Sequence, residues 1–266
     1  TYRITGSKIY ITYGDSHLVE NIVHLVLARL PDAPPGTKGI SLFLVPKRLP
    51  DADGRPGAAN ALRVVRLEHK MGLHGSPTCE MAYEGATGWR VGAEHGGMAA
   101  MFTMMNNARL AVGVQGIGVA EAATQAALAH ARERRQGPAP RSGTIVEHAD
   151  VRRMLATMRA EVFATRAIAL ATGVAIDMAT ATGEAGWAAR AALLTPIVKA
   201  WGTEVGHAAA QTGIQVHGGI GYVEETGVAQ YARDIRVAAI YEGTNGIQAM
   251  DLVGRKMADG GAEMHR

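Results

Sequence analysis

Cysteine is almost missing: 266 residues contain Cys79 and no other. An internal disulfide and a CxxC metal site are therefore excluded. The ten histidines are dispersed and no HExxH occurs, so nothing in the spacing suggests zinc. No GxSxG supports a hydrolase elbow, and no GxGxxG follows a strand to open a helix. Aromatic residues are sparse at 5%, which suits closely packed helices better than a β-sandwich. Net charge is only +3, and the basic residues are scattered apart from "RERR" at Arg132–Arg135. That pattern lacks the basic stripe of a nucleic-acid binder, so no nucleic-acid partner is expected. No signal peptide and no apolar run long enough to span a bilayer is read, which predicts a cytoplasmic protein. The chain opens on Thr1, in what reads as mid-strand, and closes on Arg266, so a piece of a longer protein is expected.

What is present divides into two periods. Residues 1–90 alternate like strands in Tyr2–Thr12, Asn21–Leu30, Gly39–Lys47, Ala61–His69 and Thr78–Gly85. Turn clusters separate them at Thr5–Gly6–Ser7, Pro31–Gly36 and Pro50–Gly57. From Met98 the pattern becomes helical: Met98–Arg135, Val146–Thr182 and Glu184–Thr212, then shorter helices near Val228–Asp234 and Thr244–Met257. Thr195–Pro196 reads as an N-cap and first helical position, which predicts a break or kink there. The fold class is α+β: a small antiparallel β domain (1–90), then an antiparallel helical bundle (91–257), then a tail (258–266).

One stretch asks a chemical question. "AIYEGTNGIQ" (Ala239–Gln248) sets the carboxylate of Glu242 between an apolar run and a cluster of helix-start residues. Acids favour helix N-termini, so capping is one reading. A general base kept reactive by a poorly solvated site is the other. Spacing alone leaves both open, as it leaves "GGIG" at Gly218–Gly221 between a helix–helix turn and a backbone approach to a pyrophosphate.

"GSKIYIT", "MGLHGSPT", "QVHGGIGY" and "YARDIRVAAIYEGTNGIQ", in that order, resemble the acyl-CoA dehydrogenases. The likeness runs from Gly6 to about Lys256. "NIVHLVLARLPDAPPGTKGISLFLVPK" and "TNGIQAMDLVGRK" are similar to the branch that includes 3-methylmercaptopropionyl-CoA dehydrogenases. The resemblance implies the family's middle β domain and C-terminal helical domain, without its N-terminal helical domain. It implies FAD as cofactor and α,β-desaturation of an acyl-CoA thioester. Glu242 falls on the catalytic glutamate, which removes the α proton while hydride passes to flavin N5.

The same resemblance implies the other roles. Arg109, Tyr241 and Gly243 would meet substrate; the family's usual acid three residues before Arg109 is here Asn106. Tyr10, Ile11 and Thr12 match the strand beside the isoalloxazine ring, with Tyr10 replacing a frequent tryptophan. Thr244 matches a flavin-binding threonine, and His148 a cofactor-proximal position. Arg134, Gln136, Gln215, Gly218 and Gly219 match positions that approach the FAD of a neighbouring subunit, although the family's "R-x-x-F-G" phenylalanine is absent. No metal is implied. Expected partners are acyl-CoA, an electron-accepting protein and further copies of the chain in a homodimer or homotetramer. The alternatives carried by the same fold are an acyl-CoA oxidase, a nitroalkane-oxidising flavoenzyme and a non-catalytic DNA-associated protein.

Overall fold

A computed structural model describes residues 1–257 and Glu263; the tail assigned to 258–266 lies, Glu263 apart, outside the described residues. The chain forms two compact units, Thr1–Met104 and Met105–Arg266. The division falls inside the first helix, beyond the 90/91 border drawn from the change of period.

The first unit is an antiparallel β structure organised by one long strand. Its strands are β1 (Tyr2–Thr12), β2 (Val23–Arg29), β3 (Ile40–Pro46), β4 (Arg48–Pro50), β5 (Pro56–Ala59), β6 (Leu62–Leu67) and β7 (Thr78–Val91). The order is β1-β7-β3-β2, with β6 also on β7. Residues Thr78–Gly88 of β7 pair with β1, whereas Trp89–Val91 pair with β3. Alternation along β7 turns Cys79, Met81 and Tyr83 inward, where they pack with Ile4, Val26, Phe43 and Val45. His24 is buried there with its Nδ1 2.6 Å from the Tyr83 hydroxyl. Burial lowers the His24 pKa and pushes that of Tyr83 up to about 12.

Two local readings are corrected. Thr5–Gly6–Ser7 is not a turn: these residues pair with Glu84, Tyr83 and Ala82 inside β1. The irregularity there is a bulge, with the extra residue Gly85 of β7 at φ 82°. The loop read at Pro50–Gly57 contains a small hairpin, β4–β5. Its turn is closed by the Asp51 carboxylate, which accepts from the Asp53 and Arg55 amides.

The second unit is helical. The long elements are α1 (Gly97–Glu133, which begins in the first unit), α2 (Ala149–Thr182) and α3 (Ala185–His217), followed by α4 (Val228–Ile235) and α5 (Asn245–Asp251). One face of α2 is buried: Met154, Leu155, Met158 and Val162 meet Ala120, Ala123, Ala127 and Ala131 of α1 and Val205, Ala209 and Val216 of α3. Arg166 of α2 bonds Glu121 of α1 at 2.8 Å. α2 runs antiparallel to α1 and α3, which leaves α1 and α3 parallel.

Between α1 and α3 the packing is backbone on backbone. A Cβ on Gly116 would lie 2.3 Å from the Gly202 carbonyl oxygen, and one on Gly206 would lie 2.7 Å from the Gly116 carbonyl oxygen. Gly113 meets Val198 and Gly202 in the same way. α3 is helical through Pro196, so the predicted break is absent. Proline removes one N–H from the ladder. The helix is held there by burial of Leu193, Thr195, Pro196 and Val198, with the Thr195 hydroxyl donating to the Ala191 carbonyl at 2.7 Å.

The bilayer reading is also corrected in part. α2 is long and apolar enough, by length and composition, to cross a membrane; from Ala167 onward only Asp177 is charged. One of its faces packs in the bundle core, while Phe163, Leu170 and Val174 are exposed.

The seam gives a paired prediction. Gly116→Ala is expected to destabilise the fold by about 1–3 kcal/mol, because two backbones must separate. Gly118→Ala, where nothing lies within 4 Å of an added Cβ, is expected to gain about 0.5–1 kcal/mol of helix stability. Urea denaturation of both variants checks this, and equal midpoints would refute the close approach.

Candidate active site

Glu242 occupies a strained turn. Its φ is 53° and that of Gly243 is 86°, two successive left-handed residues. Glycine suits the second, since a Cβ there would meet Gln248 Nε2 at 2.7 Å. A glutamate in this conformation costs about 1–2 kcal/mol unless its neighbours hold it. Upstream, the Tyr241 hydroxyl donates to Gln115 Oε1 of α1, and its ring packs beside Val112, Ile235 and Ala238. Burial raises the Tyr241 pKa. Downstream, Thr244 caps α5 by accepting from the Ile247 amide at 3.2 Å. Buried Gln248 donates back to the Gly243 carbonyl at 3.1 Å.

The half-buried carboxylate of Glu242 makes no hydrogen bond or ion pair among the described residues, and neither does its backbone N–H. Capping is therefore performed by Thr244, and Glu242 is left with both groups unspent.

The fold gathers charge that sequence adjacency did not show. Lys199 of α3 is 0% exposed, with Nζ 3.0 Å from Asn245 Oδ1. Burial foremost, then the Arg109 guanidinium, brings its pKa down to about 8, while the carboxylates of Glu242 and Glu204 pull the other way. Arg109 is 6% exposed and its Nη1 donates to Asp251 Oδ2 at 3.0 Å. Asp251 also pairs with Arg255 Nε at 3.1 Å. The Arg109 guanidinium is thus engaged between helices, with Nε buried and unpartnered. Sequence reasoning missed Lys199, Asp251 and Gln248. A signal for Lys199 existed: it shares helical phase with Thr195, Gly202, Thr203 and Gly206, all buried.

The residues assigned by resemblance to a neighbouring subunit's cofactor gather at the far end of the bundle. His148 Nε2 lies 2.8 Å from the Gln136 carbonyl oxygen. Arg134 closes α1, where its carbonyl accepts from the Ile145 amide at 2.8 Å, and its side chain is exposed. Gln215 lines an open groove between α2 and α3 with Arg153, Thr157, Glu161 and Thr212. Gly218 caps α3 at φ 65°, and neither it nor Gly219 has an atom within 4 Å of an added Cβ. His130 and His217 stack at 4.3 Å between these loops, and burial, His217 and Arg134 lower the His130 pKa. Lys199 and Gln215 are about 24 Å apart along α3 at ~1.5 Å rise per residue, so the two clusters are separate.

In the β unit, Tyr10 sits on a bulge of β1, between Lys8 opposite Met81 and Ile11 opposite Cys79. Its φ is 58° and the residue is 70% exposed. Ile11 packs against the sheet core, and Thr12 pairs with Thr78 on the exposed side. Bulges re-aim side chains beside sites.

Glu242 thus stands in a left-handed turn with carboxylate and amide free, after Arg233–Asp234 and the Gly218–Gly221 turn in the chain. Residues 95–257 match the family model described as "Acyl-CoA dehydrogenase, C-terminal domain", and the chain belongs to the acyl-CoA dehydrogenase family. It is 51% identical over 275 residues to 3-methylmercaptopropionyl-CoA dehydrogenase of Ruegeria pomeroyi, covering 100% of this chain and 47% of that protein. A butyryl-CoA dehydrogenase of Syntrophomonas wolfei is 40% identical, over 96% of this chain and 45% of its own length. Caenorhabditis elegans ACDH-11, solved in complex with C11-CoA, superposes with a TM-score of 0.86 at 27% identity, over 97% of this chain and 42% of that one. The chain spans about half the length of the curated relatives it matches.

Two outcomes test the charge cluster. Asp251→Leu strands the buried Arg109 and is expected to cost about 3–5 kcal/mol, whereas Asp150→Ala, which breaks an exposed pair with Arg153, costs under about 1 kcal/mol. For Lys199, the unfolded chain binds a proton between pH 8 and the ordinary lysine range that the folded chain has released. Stability from this group therefore rises with pH across that window. Wild type should gain on Lys199→Met in denaturation midpoint as pH is raised above 8, and a constant difference would refute it.

Proposed function

We propose that the complete protein is an FAD-dependent acyl-CoA dehydrogenase in which Glu242 is the general base for α,β-desaturation of an acyl-CoA thioester. The observation that carries this reading is the unspent carboxylate and amide of Glu242 on a turn held from both sides. The carboxylate takes the α proton. The free Glu242 amide suits a donor to the thioester oxygen as enolate character develops.

The residues present fit FAD. The open Gly218–Gly219 turn admits a close backbone approach, and Arg134 and Gln215 offer exposed donors to an anionic or polar group. Bound FAD supplies the acceptor for the β hydride. Thr244 and, in the β unit, Tyr10, Ile11 and Thr12 are assigned to the flavin, His148 and Gln136 to other parts of the cofactor, and the turn of Gln215, Gly218 and Gly219 to its adenosine side. The separation of the two clusters along α3 supports a homodimer or homotetramer in which each copy completes a neighbour's cofactor site. Arg109, Tyr241 and Gly243 are assigned to the substrate side, Arg109 as a buried support held by Asp251.

Likeness to the Ruegeria and Syntrophomonas relatives favours a short acyl chain, with or without a thioether. An electron-accepting protein and a cytoplasmic setting complete the reading.

The full-length protein carrying FAD provides the test, mixed without oxygen with 3-methylmercaptopropionyl-CoA, butyryl-CoA and longer thioesters. One chain type should bleach the flavin, and Glu242→Gln should slow bleaching by about 10²–10⁴-fold with FAD still bound. Bleaching at the wild-type rate in that variant would remove Glu242 as the base.

A further inference from the structure

Lys199 breaks the logic of its surroundings. A fully buried ammonium stands in the stripe of α3 that otherwise carries Thr195, Val198, Gly202 and Thr203. A methionine of similar length would avoid the desolvation that depresses its pKa. Side chains that violate local rules this way gather at functional sites.

The partner of the ammonium explains its position. Asn245 Oδ1 accepts from Lys199 Nζ, while Asn245 Nδ2 donates to Glu204 Oε1 at 2.7 Å and to Thr203 Oγ1 at 3.1 Å. The whole side-chain amide is thus spent on one face of α3. Asn245 is the first residue of α5, three positions after Glu242. The left-handed pair Glu242–Gly243 is bracketed by Tyr241 on α1 and by Asn245 on α3, and only the second bracket is built on a buried charge.

We propose that Lys199 and Asn245 are positioning residues: together they lock the start of α5 to α3 and so hold the Glu242 carboxylate in its left-handed turn, aimed at the substrate α carbon. This rests on Glu242 being the base. Beyond the charge interaction between the two side chains, Lys199 holds Glu242 through Asn245 and the turn, without touching the reacting atoms.

The test uses full-length protein with its flavin reduced beforehand by dithionite, so that no hydride can leave. Exchange of the α protons of 3-methylmercaptopropionyl-CoA into D2O then reads Glu242 alone, since the proton goes to the carboxylate and a solvent deuteron returns. Asn245→Ala and Lys199→Met should each slow this exchange by about 10- to 100-fold, with thioester KM in the bleaching assay unchanged. In the cofactor-free protein, the Ile247 and Gln248 amides, which bond Thr244 at the start of α5, should exchange about tenfold faster in Asn245→Ala. Wild-type α-proton exchange in Asn245→Ala, with Glu242→Gln silent, overturns the positioning role and leaves the base intact. If Glu242→Gln exchanges like wild type, the base reading falls, and amide exchange alone then decides whether the lock exists. Should Lys199→Met fail to fold, Asn245→Ala carries the decision.

Discussion

The helical unit depends on how closely α1 and α3 approach. With Gly113 and Gly116 on one helix and Gly202 and Gly206 on the other, backbone lies against backbone, flanked by the side chains of Val198 and Ile235. That contact fixes the relative height of the two helices, because any slide drives a Cβ into a carbonyl. Arg109 lies one turn before Gly113, and Lys199 one turn before Gly202 and Thr203. The seam therefore brings a guanidinium and an ammonium close enough for the first to depress the pKa of the second. Such proximity is unfavourable by itself, and the chain answers it with α5, which delivers Asn245 to one cation and Asp251 to the other.

This arrangement makes α5 a fitted part. It is only Asn245–Asp251, too short to be stable as an isolated helix, and its interactions are polar groups meeting buried cations. Replacing either ion pair partner with an apolar group leaves a charge stranded, whereas replacing all of them together would merely change the packing. The cluster thus serves specificity of geometry more than net stability. The turn before α5 shows what the geometry is for: Glu242 and Gly243 adopt backbone angles that an unconstrained chain would leave.

Much of this was readable from residues in order. Period two against period 3.6 separated the β region from the helices, and the buried residues of α2 recur at helical spacing. Two of the errors share one cause. Gly6 within β1 and Pro196 within α3 carry turn and break signals that hold for an isolated segment, and in each case pairing or burial overrode them. The β4–β5 hairpin was hidden because its strands are too short to show alternation. Resemblance in "QVHGGIG" and "YEGT" located Glu242, but nothing local marked Asp251 or Gln248, whose partners stand at Arg109 and Gly243.

By itself, the sequence determined the class of fold, the helical and extended periods and the membership signalled by its C-terminal motifs, and it singled out one carboxylate for attention. Those properties are local, written in spacing and residue type within a few turns of chain. The tertiary structure alone decided that Lys199 and Arg109 come together beside α5 and that an asparagine ties the turn before α5 to α3. It also decided that the residues matched to a neighbour's cofactor gather at the opposite end of the bundle. Each of these rests on contacts between residues tens of positions apart, set by backbone approach at glycines, and no periodicity along a single segment encodes which glycine meets which.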